Sequence, residues 1–268
     1  ACGMTVASRG TVMGAQSVRK TGEKLKGVMI QNALELHSLP LEEIEKAYGL
    51  KKGTLDYSKL TADQVELLDS QFYLKKYPDV KVPFSGVCNA CLWTGKQMAA
   101  FEWFKPQDLI QDHETGQGKA FPTFAYGCIV AEVEVDMKTG YVDVLEVTAS
   151  HDVGTAINPA LVKGQIYGGI VMGQGFAVTE DVVTGKRGQK TKNFDSYILP
   201  TSMDAPKMNI NIYENQDPAG TYGAKSIGEP ATEGVGAAIA NAIFNATGRR
   251  IYENPADLET VLLGHKLQ

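Results

Sequence analysis

Apolar and polar positions change their rhythm along this 268-residue chain. After a Gly/Ser/Thr stretch over residues 1–11, Val18, Leu25, Val28, Met29 and Ala33 recur near helical spacing with Lys and Glu between them, which predicts a long helix. Ser38-Leu39-Pro40 breaks that pattern and starts another helix, with Glu42 and Glu43 in its first turn. Thr61-Ala62-Asp63-Gln64 reads as a capping box for a further short helix through Leu68, so residues 38–83 are expected to be charged, peripheral and mostly helical. Residues 84–119 are less regular. They carry Trp93, Phe101, Trp103 and Phe104, an aromatic group expected in the core. A polar, Gly-containing run from Gln111 to Lys119 then reads as a mobile loop or a partner contact.

The period then drops to two. Tyr126 to Val135 places Ile129, Ala131, Val133 and Val135 on one face and Glu132, Glu134 and Asp136 on the other. Lys138-Thr139-Gly140 supplies a turn, and Tyr141 to Ala149 resumes with Val142, Val144 and Val147, giving a hairpin. His151-Asp152-Val153-Gly154 closes the second strand. Asn158-Pro159 then starts a helix over about Ala160 to Glu180. That helix holds five interior glycines (Gly164, Gly168, Gly169, Gly173 and Gly175), each costing about 0.8–1 kcal/mol relative to alanine. Such a stretch needs compensation by close packing against backbone or a ligand. Met208 to Tyr213 alternates as a strand. Gly234 to Thr247 forms a small-residue helix with Val235, Ala238, Ile239, Ala242 and Ile243 on one face, and Asn254-Pro255-Ala256-Asp257 opens a last capped helix. The pattern predicts an α+β fold of antiparallel strands and hairpins packed with helices, in a helical, loop-rich part over 1–119 and an α+β part over 120–268.

A net charge of −5 and the absence of a Lys/Arg run with interleaved aromatics argue against a nucleic-acid or membrane-surface footprint. No apolar stretch approaches a membrane span, and Ala1-Cys2-Gly3-Met4 lacks a secretory pattern, so a cytoplasmic location is expected. Cys88-Asn89-Ala90-Cys91 is a lone Cys-x-x-Cys without a second ligand pair, and Cys2 and Cys128 stand apart. Free, packed thiols are the expectation, and the four histidines show no ligand spacing. No protein metal site is expected. The dinucleotide glycine fingerprint, the phosphate loop and the Gly-x-Ser-x-Gly elbow are all missing.

What remains is glycine placed to open the backbone, at residues 3–11, 164–175 and 221–236. Three such places suit a large, flat ligand gripped by amides. Ala7-Ser8-Arg9-Gly10-Thr11 lies just before a helix, where amides and hydroxyls can hold a phosphate or polar ring; Ser8 as a plain cap and Arg9 as a solvated side chain is the other reading. Gly223-Ala224-Lys225-Ser226-Ile227-Gly228-Glu229-Pro230 sets one carboxylate between a flexible and a rigid residue, a candidate base; a solvated turn carboxylate is the alternative.

In order along the chain, Ala-Ser-Arg-Gly-Thr, Gly-Gln-Ile-Tyr-Gly-Gly-Ile-Val-Met-Gly-Gln-Gly and Gly-Ala-Lys-Ser-Ile-Gly-Glu-Pro resemble the C-terminal part of the molybdopterin-binding portion of the molybdenum hydroxylases, the xanthine dehydrogenase / aldehyde oxidoreductase family. The resemblance implies a molybdenum held by a pterin dithiolene, with oxo, hydroxo and sulfido or selenido ligands. It makes Glu229 the base on the metal-bound hydroxyl, hydride passing to the sulfido or selenido ligand. It assigns Ala7, Ser8, Arg9, Gly10 and Thr11 to the pterin-contacting loop, and Gln165 and Gly228 to the cofactor's surroundings. It also implies the cytosine dinucleotide form of molybdopterin. The chain lacks the eight cysteines of two [2Fe–2S] clusters and any flavin-binding segment. The resemblance therefore implies partners: a larger molybdopterin subunit completing the site, an iron–sulfur subunit and an FAD subunit, as in a nicotinate dehydrogenase. Met172 stands where many members carry glutamine, and Gln174 is out of register for that role. An N-heteroaromatic substrate such as nicotinate or a purine is the leading expectation. An aldehyde substrate, or a non-catalytic scaffold with a degenerate pterin site, is the alternative.

Overall fold

The computed structural model describes residues 4–106 and 109–265; Cys2 lies outside them. The chain divides into two compact units, the first over 15–105 and the second over the described residues of 2–14 and 106–268.

In the first unit, α1 (Ala15–Glu35), α2 (Leu41–Ala47) and α3 (Phe84–Thr94) accompany a three-stranded antiparallel sheet of β1 (Val65–Leu68), β2 (Gln71–Leu74) and β3 (Tyr77–Pro83). Met29, Ile44, Val65, Phe72, Val87 and Cys91 are fully buried there. The expected helices after Pro40 and before Ser38 are present, with Glu42 and Glu43 in the first turn of α2. The expected helix through Leu68 is not. The Thr61–Gln64 capping box is real, but it caps a single 3-10 turn, Ala62–Gln64, and Val65–Leu68 is a strand. Asp69 and Ser70 both take positive φ (50° and 58°), the conformation of two-residue hairpin turns whose twist suits paired strands. Phe72 and Leu74 then go inward by alternation. Residues 38–83 thus include a three-stranded sheet rather than being mostly helical. The aromatic group after them is not core either: Trp93, Phe101 and Trp103 are 84, 70 and 61 % exposed. Cys88, Cys91 and Cys128 are free thiols; Cys91 is buried as expected, but Cys88 is only half-buried and Cys128 is exposed.

The second unit begins with a π turn, Gly10–Gly14. Short two-residue ladders pair β4 (Ile110–Gln111) with β5 (Gly118–Lys119) and β8 (Thr184–Gly185) with β9 (Gly188–Gln189). Its main sheet runs β10-β7-β6, from β6 (Gly127–Val135), β7 (Val142–Asp152) and β10 (Lys207–Tyr213). β6 and β7 form the antiparallel hairpin read from the sequence, with an irregularity between Glu132 and Val133 that keeps Val144 and Val147 both inside. β10 pairs parallel to β7, with Ile210 opposite Ala149. A parallel neighbour requires a crossover, and α4 (Pro159–Val178), capped by Asn158 through Leu161 N–H, lies within it. The helices α5 (Pro230–Glu233), α6 (Val235–Thr247) and α7 (Leu258–Leu263) follow. Val235, Ile239 and Ile243, the face read from the sequence, are completely buried. Each such aliphatic side chain contributes about 1.5–3 kcal/mol. No helix among the described residues is long and apolar enough to cross a membrane.

His151, two per cent exposed, sits across the ladder from Gly127; a Cβ on Gly127 would lie 2.8 Å from its Nδ1. Burial pushes the imidazole pKa below its ordinary 6.5. Between 6.5 and the lower folded value, the unfolded chain takes up the proton and the folded chain does not. Stability should therefore be complete above that ordinary value and fall on acidification below it. Urea midpoints measured from neutral to mildly acidic pH should drop in wild type and drop less in His151→Gln.

Candidate active site

The site grows from the start of the second unit. Ala7 and Ser8 both occupy the left-handed region (φ 54° and 48°), an unusual conformation for residues with a Cβ and one that concentrates at functional sites. The turn they make brings the Ser8 hydroxyl to Glu229. Ser8 Oγ accepts a hydrogen bond from Glu229 N–H at 2.7 Å and donates one to Glu229 Oε2 at 2.9 Å. Two further bonds join the same segments: Val12 N–H donates to Ser226 Oγ at 3.3 Å, and Thr221 Oγ1–H donates to the Thr11 carbonyl at 3.0 Å. At Gly228 a Cβ would lie 3.2 Å from Ser8 Oγ, so the close approach of the two loops uses the missing side chain. Glu229 occupies the cap position of α5 and is exposed.

The glycines of α4 fall into two sets. Gly169 and Gly173 are packing sites: a Cβ would come within 2.7 Å of Ala231 backbone and 2.5 Å of Val235 Cβ. Gly164 and Gly168 have no atom within 4 Å of such a Cβ. Those two leave one side of α4 bare, and it borders a cavity of about 740 Å³ shared with Gln165, Met172, Phe176, Glu229 and Asn254. A second cavity of about 380 Å³ is lined by Ala7, Ser8, Gly10, Thr11, Gln165 and Glu229. Gln165, Gly228 and Glu229 border both.

Seven of the eight residues singled out from the sequence therefore come together: Ala7, Ser8, Gly10, Thr11, Gln165, Gly228 and Glu229. Arg9 lines a third cavity of about 440 Å³, which Ala7 and Ser8 also border together with Phe121 and Lys225, and its buried Nε has no hydrogen-bond partner among the described residues. Met172 faces the large cavity, and its sulfur accepts the Thr232 hydroxyl at 3.9 Å. Gln174 is buried on the inner side of α4, where its Nε2 donates to the Asp204 carbonyl at 2.7 Å. Among the described residues no group of three or more His, Cys, Asp or Glu could hold a metal ion.

Sequence reasoning left out the support under the acid loop. Asp152, at the end of β7, meets Lys225 Nζ at 2.6 Å, and both side chains are nearly inaccessible (6 and 4 % exposed). Burial pushes the Asp152 carboxyl up, but hydrogen bonds from Lys225 and from Gly154 N–H outweigh it and hold the group below the usual carboxylate range. The two residues are 73 positions apart, and neither motif names the other.

A glycine-faced helix, a strained loop and a tethered acid border two adjoining cavities. The sequence profile of the molybdopterin cofactor-binding domain matches residues 1–206, and the chain belongs to that family, the molybdenum hydroxylases. It is 38 % identical over 151 residues to the aldehyde oxidoreductase of Megalodesulfovibrio gigas, covering 56 % of this chain and 16 % of that protein. It is 37 % identical over 133 residues to the xanthine dehydrogenase molybdenum-binding subunit of Escherichia coli O157:H7, covering 49 % and 18 %. The fold matches that of quinoline 2-oxidoreductase from Pseudomonas putida 86 with a TM-score of 0.73 at 24 % identity, over 96 % of this chain and 30 % of that one. The chain thus spans less than a fifth of the length of these two sequence relatives.

Proposed function

We propose that this chain is the molybdopterin-binding subunit of a hydroxylase, contributing the base and part of the cofactor grip. The observation that carries the reading is the double hydrogen bond that fixes Glu229 where the two cavities adjoin. The residues fit a flat cofactor: Gly164 and Gly168 present backbone without side chains, and the Ala7–Thr11 turn adds hydroxyls and amides. These residues, with Gln165 and Gly228, would hold molybdopterin, in its cytosine dinucleotide form. When bound, the cofactor supplies molybdenum redox chemistry that oxidises an electron-poor carbon with oxygen drawn from water. The chain's own part is proton handling at Glu229 Oε1, since Oε2 is already engaged by Ser8.

The substrate class is an N-heteroaromatic of nicotinate or purine type. An aldehyde is the alternative, supported by the name of the aldehyde oxidoreductase relative. Met172 on the cavity wall favours a further reading, a non-catalytic scaffold. A larger molybdopterin subunit would close the exposed side of Glu229, and iron–sulfur and FAD subunits would carry electrons away. The molybdenum-binding subunit of the E. coli relative supports placing the molybdenum on a subunit of its own. The test is metal and pterin analysis of the complex purified through this chain from molybdate-fed cells. One molybdenum and one pterin per chain is the expected result. A metal-free, pterin-free complex would leave only the scaffold.

A further inference from the structure

We propose that Asp152 and Lys225 are positioning residues for Glu229: their buried ion pair anchors the acid-bearing loop to the end of β7. The inference rests on the reading of Glu229 as the base. Four hydrogen bonds converge on the anchor, two of them making up the β-bridge between Gly154 and Ala224. Lys225 N–H donates to the Val153 carbonyl at 2.8 Å, and Thr155 N–H donates to the Gly223 carbonyl at 2.9 Å. Asp152 accepts from Lys225 Nζ at 2.6 Å and, on its other oxygen, from Gly154 N–H at 3.0 Å. Gly154 takes φ 63°, and a Cβ there would fall 2.1 Å from the Gly223 carbonyl oxygen, so only glycine lets the two backbones approach this closely.

The geometry leaves Glu229 with a divided support. Downstream, Pro230 and the first turn of α5 hold its backbone. Upstream, three residues separate it from Lys225, and one of them is Gly228, free to rotate. The two Ser8 bonds hold the far end of that stretch and Val12 N–H holds Ser226, while its start is held by the ion pair. The Lys225 ammonium is the last fixed charge before the acid, and its side chain is only 4 % exposed. Neutralising Asp152 would leave that buried ammonium without its counter-charge, driving the side chain, and the loop with it, toward water. Lys225 Nζ also lies 5.6 Å over the Tyr126 ring, which limits the directions it can take while seated.

The experiment compares wild type, Lys225→Met, Asp152→Asn, the double variant and Lys225→Arg in the assembled enzyme. Amide hydrogen exchange is read on peptides covering 223–229 and on α6. In both single variants exchange in 223–229 should rise about tenfold while α6 keeps its protection. Turnover number should fall roughly 100-fold with KM little changed, the expected effect of a misplaced but intact acid. The double variant should be no worse than either single, as befits residues acting as one unit. Lys225→Arg should recover most of the rate. Unchanged exchange in 223–229 overturns the inference, and so does a turnover number near that of wild type. A rise that includes α6 also overturns it, because it marks a general stability role. Failure of the underlying reading looks different: Glu229→Gln would stay active while the exchange pattern still localised to 223–229.

Discussion

Glu229→Gln is expected to abolish turnover in the assembled enzyme while molybdenum and pterin content stay at wild-type levels. Glutamine keeps the length of the side chain and offers an acceptor oxygen to the Ser8 hydroxyl, so the 2.9 Å tether survives. The backbone bond from residue 229 N–H to Ser8 is untouched. What glutamine cannot do is take a proton at neutral pH. Removing a positioned general base costs about 10²–10⁴-fold in rate, equivalent to roughly 3–5 kcal/mol of transition-state stabilisation. The loss should appear in kcat rather than KM, since the amide fills the same space. Full activity in this variant, measured on a preparation with verified metal content, would withdraw the catalytic role.

The second large effect is a difference in sign between neighbouring glycines of α4. Gly169→Ala places a Cβ 2.7 Å from the Ala231 carbonyl carbon and oxygen, atoms that cannot yield without moving α5. Overpacking of this kind costs about 1–3 kcal/mol, against a helix-propensity gain of at most about 1 kcal/mol. Because Glu229 heads α5, the same displacement reaches the acid. Gly168→Ala meets nothing within 4 Å, so the propensity gain stands alone and the chain should become more stable. Its bulkier counterpart Gly168→Leu fills the side of the cavity and should lower cofactor content without lowering the melting temperature of the cofactor-free protein. Thermal unfolding of the variants, with molybdenum analysis of the leucine variant, separates the two sets. Equal destabilisation by Gly168→Ala and Gly169→Ala would erase the distinction between a packing face and a ligand face.

Elements written in local sequence were legible in advance. The hairpin of β6 and β7, the Asn158 cap of α4 and the buried stripe of α6 each follow from residues within one or two turns of one another. The sheet of β1–β3 was not, because a sound capping signal at Thr61 was read as a promise of length, and Asp69-Ser70 carries no glycine to announce a turn. Burial of Trp93, Phe101 and Trp103 was misjudged because hydrophobicity alone does not say which side of a chain turns inward. The candidate site was visible as three glycine-rich segments, yet their meeting depends on contacts that skip most of the chain. The Asp152–Lys225 pair, 73 residues apart, and the parallel seating of β10 on β7 had no local signature at all.

Ser8 and Glu229 lie 221 positions apart, and their two hydrogen bonds form across that interval. During synthesis the ribosome has to deliver the chain from Ser8 through Glu229 before the acid finds its seat. The pocket consequently forms only once both segments have been made, and any prosthetic group it receives has to be installed after that point. Nascent chains stalled anywhere before the α5 helix should be unable to take up that group, however much of the glycine helix they already contain.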